Sequence, residues 1–285
     1  MDGRITSGSI VCANHHSFPI ERGIPRFVDS EQYAENFGFE WNLHRRTQLD
    51  SEAEHESETA FRLKTGFAPE DVAGKVLLDA GCGMGRYSEV VSRWGATVAS
   101  VDLSLAVDAA YQNLDGRDNV HVAQADIFRL PFEDSTFDVI FSIGVLHHTP
   151  STRRAFEQLT PLLKPGGTIA IWVYSSHDRG AYFASDIWRK ATTRMPKRLL
   201  YALSHVAVPL HHLRRVPVVG HSAALIPVSG HPNPTWRVLD TFDWYSPQYQ
   251  WKHTHEEVRM WFEEQGLVDI RILDAPIAVR GQKAL

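Results

Sequence analysis

Three short segments carry residue types suited to holding a ligand. The first is Leu78-Asp79-Ala80-Gly81-Cys82-Gly83-Met84-Gly85-Arg86. Closely spaced glycines between an apolar run and a helical one let the backbone approach a ligand that a Cβ would keep away. A dinucleotide fingerprint, G-x-G-x-x-G, asks for a third glycine where Arg86 stands. An arginine there crowds the helix–strand packing, which disfavours a nicotinamide cofactor and suits a ligand without a pyrophosphate. Taken alone, the segment also reads as a tight strand-to-helix turn.

The second segment is Val101-Asp102-Leu103-Ser104, with Asp102 lying 21 residues beyond Gly81. A carboxylate at a strand tip accepts hydrogen bonds from both hydroxyls of a ribose. Asp102 also suits a helix N-cap, and the two roles do not conflict. The third is Ala125-Asp126-Ile127. A carboxylate there accepts from an adenine amino group while a neighbouring backbone N–H donates to the ring; a plain turn is the alternative. If each segment ends a parallel strand, all three meet in the crevice where open α/β sheets bind ligands.

The pattern from 71 to 175 predicts those strands, at Val76–Asp79, Thr97–Val101, Val120–Ala123, Phe137–Ile143 and Thr168–Tyr174. Helical spacing over Arg86–Trp94, Ala106–Leu114 and Arg153–Leu163 separates them, with Lys164-Pro165-Gly166-Gly167 as a turn. Strands alternating with helices imply right-handed βαβ units with helices on both faces. Thr254 and Glu257 match a capping box for a helix that Gly266 stops, and Val268–Ile272 with Ile277–Arg280 read as a closing hairpin. The expected division is a hairpin-like arm (1–30), a helical cap (31–70), an α/β core (71–175), a substrate-side insert (176–253) and a closing helix and strands (254–285). Tyr33, Phe37, Trp41 and His44 recur at helical spacing in the cap, either as packing or as a lid.

The 285 residues suffice for one substantial core with an attached region, and a net charge of -5 lacks the basic footprint of a general nucleic-acid binder. Arg214 and Arg215 read as a solvated edge. Two cysteines, Cys12 and Cys82, cannot make a disulfide framework and fit a reducing, cytoplasmic setting. The apolar stretch Leu199–Val228 is broken by His205, Pro209, His211, His212, Arg214, Arg215 and Pro217, so no membrane span is expected.

Together LDAGCGMGR, VDLS, QADIFRLPFEDSTFDVIFSIGVLHHT and LKPGG resemble the class I S-adenosylmethionine-dependent methyltransferases, nearest the quinone-type and small-molecule C- and O-methyltransferases. The resemblance covers roughly residues 75 to 175, and the closing helix and strands also fit. It implies a Rossmann-like three-layer α/β sandwich with a mostly parallel seven-stranded sheet, its last strand antiparallel, bearing an N-terminal arm and a helical insert. It also implies S-adenosylmethionine as cofactor and S-adenosylhomocysteine as product. Asp79, Gly81, Cys82 and Gly83 would line the methionine part, with Cys82 a small filler, and Arg86 stands close by in the motif. Asp102 would hold the ribose, Leu103 would pack on adenine, and Asp126 and Ile127 would bind its edge. Ile143 and Gly144 would present backbone to the amino-acid end.

The acceptor would be a small organic molecule, with no nucleic acid partner and with monomer or homodimer left open. A base is needed if the acceptor is a hydroxyl or an acidic carbon. His148 is the first candidate, with His147 beside it, and Tyr245 is the second; loop shaping and packing are the plain alternatives. Other readings are a non-methylating reaction on the same cofactor and a non-catalytic binding protein. Cys12 to Val28 resembles a zinc-ribbon-like leader, but His15 replaces its second cysteine. Cys12 and His15 supply two of four ligands, so no metal is expected.

Overall fold

The computed structural model describes residues 5–51, 55–176, 179–213 and 226–285. They form two compact units: one runs to Ser175 and resumes over Tyr249–Leu285, and the other is Ser176–Gln248. Arg214, Arg215 and Pro217 lie outside the described residues.

In the first unit the arm is a three-stranded antiparallel sheet of β1 (Ser7–Val11), β2 (Ser17–Glu21) and β3 (Ile24–Pro25), rather than a simple hairpin. Arg22 and Gly23 both take positive φ, 53° and 81°, which makes the two-residue turn that folds Ile24 back on Glu21. The cap follows with a 3-10 turn carrying Tyr33, then α1 (Glu35–Leu43), α2 (Glu56–Thr65) and α3 (Pro69–Val72).

The core runs β4 (Val76–Ala80), α4 (Arg86–Arg93), β5 (Thr97–Asp102), α5 (Ala106–Asn113), β6 (Val120–Gln124), β7 (Phe137–Ile143), α6 (Thr152–Leu159) and β8 (Leu163–Trp172). The second unit holds α7 (Arg179–Thr192), α8 (Lys197–Ser204), α9 (Ala207–Leu213) and α10 (Pro234–Tyr245). Closing the first unit are α11 (His255–Glu264), β9 (Leu267–Ile272) and β10 (Ala278–Lys283).

The main sheet has seven strands in the order β6-β5-β4-β7-β8-β10-β9. The first five are parallel, and β10 is antiparallel to both neighbours, as the resemblance implied. Successive strand residues bury to opposite faces. Leu77, Val139 and Phe141 pack with Phe61 of α2 and Val90 of α4. Leu78 and Ile140 pack instead with Phe156 of α6 and Phe262 of α11. Both faces are therefore dry, which is why these strands read as continuous apolar runs.

β8 begins at Leu163, earlier than the predicted Thr168. Leu163 pairs with Phe137, and a register shift between Phe137 and Val139 absorbs the Pro165-Gly166 segment that looked like a turn. The Thr254 hydroxyl caps α11 by accepting from the Glu257 N–H at 3.1 Å. The Glu257 carboxylate goes to His253 Nδ1, at 3.0 Å. The arm docks on β6: the Phe27 N–H donates to the Gln124 carbonyl at 2.8 Å, and buried Arg26 donates to Gln124 Oε1 at 3.0 Å and pairs with Asp108 at 2.7 Å. That covers an open sheet edge.

In the second unit, Asn233 caps α10 by accepting from the Thr235 and Trp236 N–H groups. Arg189 donates to the carbonyls of Trp244 and Pro247. Among the described residues no helix is long and apolar enough to cross a membrane.

Candidate active site

The three segments do converge at the carboxyl ends of β4, β5 and β6. The glycine-rich loop turns from β4 into α4. Gly81 has φ +93°, and a Cβ on it would lie 2.4 Å from the Val145 methyls. Gly85 has φ +87°, and a Cβ there would come within 2.8 Å of Leu114. The close helix packing that a dinucleotide fingerprint assigns to its last glycine thus falls on Gly85, and Arg86 is displaced outward. Arg86 Nε donates to Ser57 Oγ (2.9 Å) and Nη1 to Gln48 Oε1 (3.0 Å). Its role here is to tie the loop to the cap.

Asp79 is 2% exposed and accepts from Ser88 Oγ at 2.6 Å, so it sits beneath the loop. Burial pushes its carboxyl up to about 7; Ser88 opposes the shift and the Asp102 charge adds to it. Cys82 packs among Ile24, Val107 and Val122. Burial raises its thiol well above the usual range, with the Asp79 and Asp102 charges adding, so it stays a neutral filler.

Asp102 is half-buried. Its Oδ2 accepts from the Gly83 N–H (2.9 Å), and its Oδ1 accepts from the Ser104 N–H (2.8 Å) and Oγ (2.7 Å). Burial raises its carboxyl, and the Ser104 and Gly83 hydrogen bonds pull it back. An ionised carboxylate has about four acceptor sites, so one remains for a further donor. Leu103 is 7% exposed, and its carbonyl accepts from Gln124 Nε2 at 2.8 Å. Asp126 caps the turn Ile127–Arg129 by accepting from the Phe128 N–H at 3.0 Å.

The cap aromatics face this crevice. Trp41 Nε1 is 3.3 Å from where a Cβ on Gly83 would stand. Tyr33 packs edge-on to Tyr249 at 5.7 Å. Its hydroxyl is held well above the usual phenol range by burial first and then by the Asp126 and Asp102 charges.

At the end of β7, Gly144 takes φ +80° and its N–H donates to the Trp172 carbonyl (3.0 Å). Ile143 beside it is 8% exposed. The next turn carries His147 and His148, both buried. His148 Nδ1 lies 2.8 Å from the Tyr249 carbonyl. A carbonyl only accepts, so Nδ1 carries the proton and Nε2 is the basic nitrogen. Phe37 of α1 packs on His148 at 5.2 Å. His147 is 0% exposed, and burial, with the nearby Lys64 charge adding, holds its imidazole well below the usual histidine range.

Tyr245 lies in the second unit, where its hydroxyl donates to the Pro227 carbonyl at 2.6 Å. Cys12 and His15 close a tight turn of the arm. Asp50, His55 and Glu58 bring three potential ligand atoms together. Asp50, however, accepts from the Ser57 and Glu58 N–H groups and pairs with Arg93, which accounts for it as the cap of α2.

Two supports were not readable in the sequence. One is the Ser88–Ser100 pair under Asp79, with oxygens 2.7 Å apart. The other is the segment Tyr249–His253, which straps the histidine turn: the Trp251 N–H donates to the His147 carbonyl and its indole to the Thr149 carbonyl. About 100 residues separate the bonded partners, and local spacing carries no trace of such a contact.

Comparison with known proteins bears on the core of the chain. The sequence model of a family described as a methyltransferase domain matches residues 78–171. That match marks residues 78–171 as a methyltransferase domain.

A demethylmenaquinone methyltransferase of Clavibacter sepedonicus is 33% identical to this methyltransferase domain over 117 residues, 41% of this chain and 48% of that protein. A 27-O-demethylrifamycin SV methyltransferase of Amycolatopsis mediterranei is 34% identical over 105 residues, 35% of this chain and 38% of that protein. The chain spans about half the length, or less, of these curated relatives. The fold is shared with a solved chain of the Haloferax volcanii Trm112 methyltransferase activator complex, at a TM-score of 0.50 and 15% identity, covering 88% of this chain and 98% of that one.

The crevice fits the cofactor of a methyltransferase domain. Gly81 and Gly83 open the loop, Asp102 keeps an acceptor site, and Asp126 stands at the next strand end. Asp102→Ala is expected to weaken S-adenosylhomocysteine binding by about 10- to 100-fold, the worth of one or two charge-assisted hydrogen bonds. Isothermal titration checks this, and full-strength binding would remove Asp102 from the ribose role.

Proposed function

We propose that the chain transfers the methyl group of S-adenosylmethionine to an oxygen, carbon or nitrogen of a small organic acceptor, in the cytoplasm. The convergence of the Gly81–Gly83 loop, Asp102 and Asp126 under the cap aromatics carries this reading. Relatives whose names specify demethylmenaquinone and 27-O-demethylrifamycin SV support a small acceptor. The acidic net charge of -5 supports the absence of a nucleic-acid partner.

When bound, the cofactor supplies a sulfonium methyl already activated for in-line attack. The chain's task is to hold, orient and dry the reactants. Asp102 holds the ribose, Leu103 and Ile127 flank the adenine, and Asp126 accepts from its amino group. Gly81, Cys82 and Gly83 cradle the methionine part from above Asp79. The Gly144 N–H is committed to Trp172, so Ile143 and Gly144 offer carbonyls to the amino-acid end. Tyr33, Phe37 and Trp41 exclude water from above.

His148 removes the acceptor proton through Nε2, with Nδ1 anchored on Tyr249. A buried imidazole anchored through Nδ1 is positioned for this, and a positioned base contributes about 10²- to 10⁴-fold. Tyr245, whose hydroxyl donates to the Pro227 carbonyl, is the second candidate. His148→Ala is expected to lower the methylation rate by about 10²-fold or more while S-adenosylhomocysteine affinity stays within about twofold. An unchanged rate would take His148 out of the mechanism.

The deciding experiment follows methyl-labelled S-adenosylmethionine into a panel of phenolic, quinol and amine acceptors. Formation of S-adenosylhomocysteine with a labelled product supports the reading. Cofactor binding with turnover to unmethylated products points to the non-methylating chemistry, and no binding at millimolar cofactor overturns both.

A further inference from the structure

Lys64 sits near the end of α2, which is anchored by Phe61 against Phe67 and Phe141. Its ammonium lies 3.9 Å from the centre of the Trp172 ring. It is half-buried, and among the described residues it has neither a carboxylate partner nor a hydrogen-bond acceptor. Basic side chains on the elements around it are engaged otherwise: Arg62 pairs with Glu58, Arg93 with Asp50 and Glu89, and Arg280 with Asp71. An ammonium has three donors, and an aromatic face satisfies charge without using any of them.

Trp172 fixes where that charge stands. It is the last residue of β8, in register with Ile143, and its ring lies 3.4 Å from where a Cβ on Gly144 would be. Tyr174 packs against it at 5.6 Å, and His147 lies at 6.3 Å. The Lys64 charge also acts on His147, beside the candidate base. In the sheet order β5-β4-β7-β8, the ribose and glycine-loop sites hang from β5 and β4. β8 lies about 5 Å beyond β7 and about 10 Å beyond β4. A cation held at the tip of β8 therefore lies across β7 from the strand ends that carry the glycine loop and Asp102.

We propose that Lys64, seated on Trp172, is a carboxylate subsite for the acceptor, and that the acceptor is an aromatic acid whose ring meets the Trp172–Tyr174 pair. The proposal rests on the methyl-transfer reading above. The cofactor has a carboxylate of its own, so the test must tell the two anions apart.

The full-length protein is first titrated with S-adenosylhomocysteine, and then, saturated with it, with three matched pairs: benzoate and benzamide, 3,4-dihydroxybenzoate and catechol, 2-naphthoate and 2-naphthol. Wild type is expected to prefer the acid by about tenfold or more in at least one pair, as for one charge-assisted hydrogen bond. Lys64→Met, which keeps an aliphatic stem on Trp172, should abolish the preference. Lys64→Arg should retain it, and S-adenosylhomocysteine should bind all three proteins alike. No preference for any acid in wild type, or an undiminished preference in Lys64→Met, overturns the proposal. So does a Lys64→Met variant that loses S-adenosylhomocysteine affinity while binding 5′-methylthioadenosine normally, because Lys64 then holds the cofactor's own carboxylate. Failure of wild type to bind S-adenosylhomocysteine overturns the methyl-transfer reading itself, and the subsite falls with it.

Discussion

Gly81→Ala is expected to abolish measurable S-adenosylmethionine binding and to lower the unfolding free energy by about 2–5 kcal/mol. Two costs add. At φ +93° an L-residue pays the left-handed penalty, about 1–2 kcal/mol. The new methyl would also stand 2.4 Å from both Val145 methyls, an overpacking worth about 1–3 kcal/mol. Val145 opens the turn that carries His148, so relief by moving it disturbs both halves of the site. Gly74→Ala is the control: its φ is +71° but nothing lies within 4 Å of the added Cβ. It should cost only about 1 kcal/mol of backbone strain and leave cofactor affinity unchanged. Urea unfolding and calorimetry read both variants, and equal behaviour of the two would show that the contact with Val145 constrains nothing.

Asp79→Asn is expected to stabilise the protein at pH 8 by about 1–4 kcal/mol and to change little near pH 4. Folded, Asp79 keeps its proton to about pH 7, because burial outweighs the Ser88 hydrogen bond. Unfolded, the carboxyl releases it near the ordinary value of 3.8. Between those limits the folded state binds more protons, so stability falls as pH rises. The favourable contribution is complete below about pH 4 and gone once pH passes about 7. Asparagine cannot ionise and avoids the loss, while its carbonyl still accepts from Ser88. Urea unfolding of both proteins at the two pH values provides the check. A constant offset would mean that Asp79 does not titrate as its burial demands.

Much of the candidate site was legible locally because its residues sit at strand ends. A strand end followed by Gly81-x-Gly83, by Asp102 or by Asp126 is a pattern within a few residues, and the parallel topology brings such ends together without further information. The cap aromatics were legible as a helical face, though whether they pack or cover depends on what lies opposite. Arg86 was visible as a departure from a glycine pattern. That Gly85 takes the close packing depends on Leu114 at the end of α5. β8 is longer than its sequence suggests, because a proline and two glycines usually end an element and here a register shift keeps the pairing going.

The sequence by itself determined the α/β class and the resemblance to a methyltransferase family, since the class follows from apolar period and the resemblance from glycine placement and short motifs, while the strand order came from the structure. Only the tertiary structure decided the ionisation and aim of the side chains. His148 owes its tautomer to a carbonyl 101 residues away. Asp79 owes its raised carboxyl to burial under the loop, and Lys64 owes its place over Trp172 to the packing of α2 on the sheet. A pKa or a tautomer depends on what surrounds a group in space. The chain sets those surroundings only once distant segments have closed around it.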